Sequence, residues 1–277
     1  MSLRNDAHDH ERLSGAWNFR DVAETTGLAP GRLFRSSELS NLDDTGRLRL
    51  AELGIGDVAD LRSHAELQRR GGGAVPDGVA VHHLPFPEVS HSHDAEAGHG
   101  AEAPHESSWN KMMTEYSDED PAQAADRWMT QEYERFPTLG GARRSVQQII
   151  TMIGQGRPVL VHCFAGKDRT GFAVALALEA AGVDRDAILA DYLRSNEAVV
   201  ALREHILETM RTRDGMTDEV MSFAESRLTD EVLGVREQYL ASARRVLDET
   251  HGGLPGYLHA AGVSDDDVDR LRSRLFG

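Results

Sequence analysis

The chain has 277 residues, 27% of them charged, with a formal net charge of −16 at pH 7. That balance opposes binding to nucleic acid or to an anionic membrane surface, and the length is enough to bury a large core. A single cysteine excludes a disulfide within the chain and limits any zinc site to one thiolate.

Residues 1–12 are polar and charged, lack the apolar core of a signal peptide, and read as a frayed end. No apolar run approaches the roughly 18 residues of a membrane helix, so a cytoplasmic protein without membrane insertion is expected. Trp17 to Phe19 and Arg32 to Ser36 are short β-like segments between turn signals at Gly27, Pro30 and Gly31. Leucines at 42, 48, 50 and 53 ahead of Gly54 predict a helix with a glycine at its C-terminal end. Ile55 to Leu61 and Val79 to Leu84 read as strands. Helix between strands points to an α/β fold with a central, mainly parallel sheet flanked by helices. Arg69-Arg70-Gly71-Gly72-Gly73 matches no nucleotide-binding glycine pattern and reads as a flexible turn.

From about 88 to 120 the composition shifts to His, Ala, Asp, Glu, Gly and Ser, as in a mobile surface insertion. His82, His83, His91, His93, His99 and His105 follow no metal-ligand spacing, and neither a metal nor another cofactor is expected. Trp109, Met112, Met113, Trp128, Met129 and Tyr133 read as pieces of helix, serving either as ordinary core or as a cover over a pocket. Val146, Ile149, Ile150 and Ile153 share one face of a helix that ends at Gly154.

Val159-Leu160-Val161-His162 then leads into Cys163-Phe164-Ala165-Gly166-Lys167-Asp168-Arg169-Thr170-Gly171 and the apolar run from Phe172. The pattern is strand, loop, helix, with backbone N–H groups converging at a helix N-terminus where a phosphate is favoured. Those dipoles and the cations Lys167 and Arg169 favour the thiolate of Cys163, making it a nucleophile. Arg169 offers a planar fork for two phosphoryl oxygens, and Thr170 a hydroxyl for the sulfur. His162, beneath the loop, is expected to hold it by hydrogen bonds. Asp168 lies inside the loop, where it can protonate a leaving oxygen, cap the helix or pair with Lys167. Asp60, Arg62 and Glu66 are expected either to brace the loop from a neighbouring strand end or to form surface ion pairs.

From Asp184 to Phe276 the chain reads as helical throughout, with Asp184 or Asp186 as one cap and Ser264-x-x-Asp267 as a capping box. Leu202, Ile206 and Met210, then Val220, Met221, Phe223 and Leu228, form two amphipathic stretches.

His-Cys-x-x-Gly-x-x-Arg-Thr-Gly, with five residues between Cys163 and Arg169, resembles the signature of cysteine-dependent protein tyrosine and dual-specificity phosphatases. Ala16 to Asp21, Gly31 to Ser37, Asp57 to Ser63, Ala190 to Asn196 and Gly256 to Leu258 extend the similarity to a bacterial, mycobacterial-type branch over nearly the whole chain. The resemblance implies one phosphatase domain spanning 1–277, with a helical lid in the 184–277 part. It also implies a phosphocysteine intermediate, Asp168 as general acid, and Phe164 to Arg169 as the phosphate cradle. Substrates would be phosphotyrosine, phosphoserine or phosphothreonine proteins and phosphoinositides, the last helped by Lys167. Relatives in that branch are exported without a signal peptide, so secretion by such a route is also implied. Glu88 stands where that branch carries an aspartate and is the other candidate acid. A monomer is expected, and the alternative function is a catalytically idle module that sequesters phosphorylated partners.

Overall fold

The computed structural model describes residues 13–86, 120–212 and 217–277. The expectations for Glu88, for nearly all of the 88–120 insertion with its four histidines, and for Trp109, Met112 and Met113 lie outside those residues, as do the side chains of Val220 and Phe223.

Five strands form one sheet: β1 (Arg20–Asp21), β2 (Leu33–Ser36), β3 (Asp57–Asp60), β4 (Ala80–His83) and β5 (Val159–His162), in the order β1-β2-β5-β3-β4. Only β1 runs antiparallel to its neighbour. The architecture is the expected α/β one. Val159, Leu160 and Val161 are all fully buried, as a central strand covered on both faces requires. Successive side chains alternate between two cores. Leu33, Ala59, Val159 and Val161 pack with Val146, Ile149, Ile150 and Ile153 of one helix, Gly140–Gly154, and with Phe172 to Leu178 of another, Asp168–Ala181. Phe34, Val58 and Leu160 pack on the other face with Leu39, Leu42 and Leu50.

Trp17 to Phe19 is not a strand. Pairing begins only at Arg20, because Asn18 takes a left-handed φ of 55° and turns the chain there. The helix expected over 42–53 runs Asp44–Glu52 on the sheet's second face, started by the Asp43 carboxylate; Leu48 on it points to solvent. The turn expected at 69–73 begins only after Arg70, since His64–Arg70 is helical with a Ser63/Glu66 capping box. In the C-terminal part, Asp184 rather than Asp186 caps the helix Arg185–Leu193, and Ser264 and Asp267 form the expected box on Asp265–Phe276. That last helix is tied to the start of the chain by a bond from the Ala29 N–H to the Leu275 carbonyl, 2.8 Å. No helix among the described residues is long and apolar enough to cross a membrane.

Register decides where the site lies. Ser36 and Asp60 both stand opposite His162, so the residues following β2, β3 and β5 leave the sheet together at its carboxyl edge.

Candidate active site

The loop after β5 is held from outside by its carbonyls. The Glu38 N–H donates to Phe164 O at 2.9 Å. Asn18 Nδ2 donates to Ala165 O and Gly166 O at 3.1 and 2.9 Å, and Arg35 Nη2 donates to Gly166 O at 2.9 Å. Among the described residues, the backbone N–H groups of residues 164–170 have no acceptor. The loop therefore keeps its donor side for an anion at the N-terminus of the helix Asp168–Ala181. Gly166 is obligatory: its φ is +64°, and a Cβ there would stand 2.0 Å from Ser36 O.

Behind the loop lies a buried network that sequence reasoning missed. Asp191 joins Arg20 and Arg35, accepting from Arg20 Nε at 2.7 Å and from Arg35 Nη1 at 2.6 Å. Burial, then the charge of Arg35, lowers Arg20 to about 10. Burial opposes the charge on Asp191, but the two guanidinium groups outweigh it and hold the carboxyl low. The available signal was Arg35, a cation within the strand Leu33–Ser36.

Arg169 is buried against Glu66 through two bonds, Nη1 to Oε2 at 2.6 Å and Nη2 to Oε1 at 2.7 Å, and its Nη1 also donates to Leu61 O at 3.3 Å. Burial would lower this guanidinium, but Glu66, then Cys163 and Asp168, raise it above the ordinary arginine value. An arginine has five N–H donors. Three are spent here, and the two left over are Nε–H and the Nη2–H beside it. Nε is buried with no partner among the described residues. That edge is the planar fork a phosphoryl group fits.

Arg62 is also fully buried, with Nη2 on Asp60 Oδ2 at 2.7 Å and Nη1 on Glu38 Oε2 at 3.0 Å. Asp60, Arg62 and Glu66 thus form no surface pairs. His162 donates from Nδ1 to Cys163 O at 3.1 Å, and burial lowers its ring toward the neutral form. Thr170 does not reach the sulfur; its hydroxyl is buried without a partner among the described residues.

Cys163 is 2% exposed and packs in the main core, while three elements roof the loop at Ala165. Val199 and Leu202 of the helix Val199–Arg211, Leu228, and Leu233 of Asp230–Leu233 pack on Ala165, with Trp17, Phe164, Ile206 and Met221 at the margin. Arg70 lies 4.3 Å over the Phe164 ring and pairs with Glu38 at 2.8 Å, while His205 contacts Arg70 at 2.7 Å. Lys167 points into the roof. Its ammonium donates to Leu233 O at 2.5 Å and Gly234 O at 3.3 Å, and stands 3.7 Å from Asp168 Oδ2. Met129 and Tyr133 of the helix Pro121–Arg135 belong to the main core, with Trp128 packed against it, which is the ordinary-core alternative of the two expected for them. His82 and His83 contact Asp57 and the Arg62 carbonyl, each at 2.8 Å.

The model of the tyrosine phosphatase family matches residues 11–277. The chain belongs to that family. This phosphatase is 54% identical over 276 residues to the triple specificity protein phosphatase PtpB of Mycobacterium tuberculosis, covering 96% of the chain and 98% of that protein. It is 31% identical over 260 residues to a protein of Cupriavidus necator, covering 92% and 84%. A tyrosine-protein phosphatase of Nostoc commune is 28% identical over 264 residues, covering 92% and 77%. The phosphatase is a phosphoric monoester hydrolase, and its substrates are phosphorylated molecules.

Proposed function

We propose that the loop Cys163 to Arg169 takes the phosphoryl group of phosphotyrosine and transfers it to Cys163. The observation that carries this reading is the unspent edge of Arg169, directed by Glu66 and buried beside a loop whose carbonyls are already satisfied. The Cys163 sulfur attacks phosphorus, the bond to the leaving oxygen breaks, and Asp168 gives that oxygen its proton. Water then attacks the phosphocysteine, its proton passes to the Asp168 carboxylate, and inorganic phosphate leaves with the thiolate restored. The loop N–H groups and the Arg169 fork bind the three phosphoryl oxygens most tightly as charge builds on them.

The helices Val199–Arg211, Asp218–Arg227 and Asp230–Leu233 act as a lid, a reading supported by their apolar side chains packing over Ala165 in the loop. When they withdraw, Lys167 loses its carbonyl partners and adds its charge to the phosphate cradle. That extra cation, and the triple specificity for which the Mycobacterium tuberculosis relative is named, support activity on phosphoserine, phosphothreonine and phosphoinositides as well.

The test is turnover of p-nitrophenyl phosphate by wild type and Cys163→Ser, with acid-quenched enzyme mapped by mass spectrometry. Phosphate on Cys163 in wild type and loss of turnover in the serine variant are expected; full activity of that variant would overturn the nucleophile. Phosphopeptide binding without any turnover would favour the idle module. Initial rates on phosphopeptides and phosphoinositides then rank the substrates.

A further inference from the structure

Asp168 does not stand alone. Tyr133, on the helix Pro121–Arg135 far from the loop in sequence, donates its hydroxyl to Asp168 Oδ1 at 3.1 Å. Tyr192, on Arg185–Leu193, donates in turn to the Tyr133 oxygen at 2.7 Å. Both phenols are buried. The direction of this chain follows from the acceptor: Oδ1 of Asp168, in the carboxylate or in the acid carrying its proton on Oδ2, only accepts, so the Tyr133 hydroxyl donates to it and has only lone pairs left for Tyr192.

The placement of Tyr192 is itself coupled to the loop. Its ring lies against Gly171, where an added Cβ would come within 2.8 Å of Cδ2 and 2.9 Å of Cε2. The glycine that closes the loop signature thus makes room for the far end of the chain. Burial, and then the charge of Asp168, push both phenols upward, which keeps them protonated as donors.

We infer that Tyr133, held by Tyr192, is a positioning residue for the general acid: it occupies Asp168 Oδ1 and so confines the transferable proton to Oδ2. This rests on Asp168 being the acid. Without the bond the carboxyl is free to turn, and the proton is presented on either oxygen. Reactions whose leaving group needs that proton slow down; those whose leaving group departs unaided do not.

The test compares kcat/KM for phenyl phosphate and p-nitrophenyl phosphate, because that parameter reports the step in which the leaving group departs. Tyr133→Phe is expected to lose about tenfold with phenyl phosphate and less than about twofold with p-nitrophenyl phosphate. Tyr192→Phe is expected to show the same preference with a smaller loss. In an Asp168→Asn background, Tyr133→Phe should change neither rate further. Equal losses on both substrates, or a further loss in that background, would show that Tyr133 only supports packing and would overturn the inference. Asp168→Asn alone tests the underlying reading: if it slows both substrates equally, Asp168 is not the acid. A selective loss in Asp168→Asn with none in Tyr133→Phe rejects the positioning role alone.

Discussion

Arg169 and Glu66 face each other through two bonds of 2.6 and 2.7 Å, both side chains buried. The same carboxylate accepts the Ser63 N–H at 2.7 Å as part of a helix-capping box. One residue therefore starts a helix and aims the guanidinium. Glu66→Gln keeps the shape but removes the charge that orients Arg169. It is expected to lower kcat/KM by about ten- to a hundredfold and to weaken competitive inhibition by inorganic phosphate in parallel. Steady-state kinetics with added phosphate checks both.

Asp191 is the counter-charge shared by two buried guanidinium groups, those of Arg20 and Arg35. In Asp191→Asn both are left without a counter-charge, and a loss of about 3–5 kcal/mol in unfolding free energy is expected. Urea unfolding of the variant measures it. Because Arg35 also holds Gly166 O, activity should fall below that predicted from the folded fraction.

Stability should decline in acid, with a sign that follows from two groups. Burial opposes the charge on Asp60, but the His162 ring and the Arg62 guanidinium outweigh it and hold the carboxyl at about 2, below its ordinary 3.8. Its contribution is present above 3.8 and lost as pH falls through 2. It amounts to about 2 kcal/mol. Burial lowers His162 below 6.5, so its contribution is also full above 6.5 and is lost on acidification. Urea unfolding at neutral, mildly acidic and strongly acidic pH should show falling stability, and Asp60→Asn should flatten the lower leg.

Lys167 ties the loop to the end of a roof helix. Lys167→Met removes the bonds to Leu233 O and Gly234 O, and alkylation of Cys163 by iodoacetamide is expected to quicken by about tenfold. An unchanged alkylation rate would mean that apolar packing alone keeps the roof closed.

Much of this was readable from the chain because the relevant signals are local. The apolar run of β5, the loop spacing and the helix behind it lie within one continuous stretch, and alternation or periodicity declares each part. Leu48 shows the limit of that logic, since a leucine in an amphipathic pattern can still face water. The helix His64–Arg70 was overlooked because three glycines follow it, although Ser63-x-x-Glu66 is a start signal. What composition and spacing could not show are pairings across 35 to 156 residues: Asn18 with Gly166, Arg35 with Asp191, Tyr133 with Tyr192 and Asp168. Such partners are chosen by where the sheet and helices bring them, not by neighbouring residues.

The bond between Ala29 and Leu275 has a consequence for biosynthesis. A nascent chain emerges with Asn18 and Arg35 first, the nucleophile midway, and the roof and the final helix last. The phosphate cradle is thus exposed before its cover exists, yet the core under it stays unfinished until Leu271 and Leu275 have left the ribosome. Ribosome-bound chains halted short of residue 265 should therefore be unable to hydrolyse phosphate esters, and competence should arrive only once the helix Asp265–Phe276 has emerged.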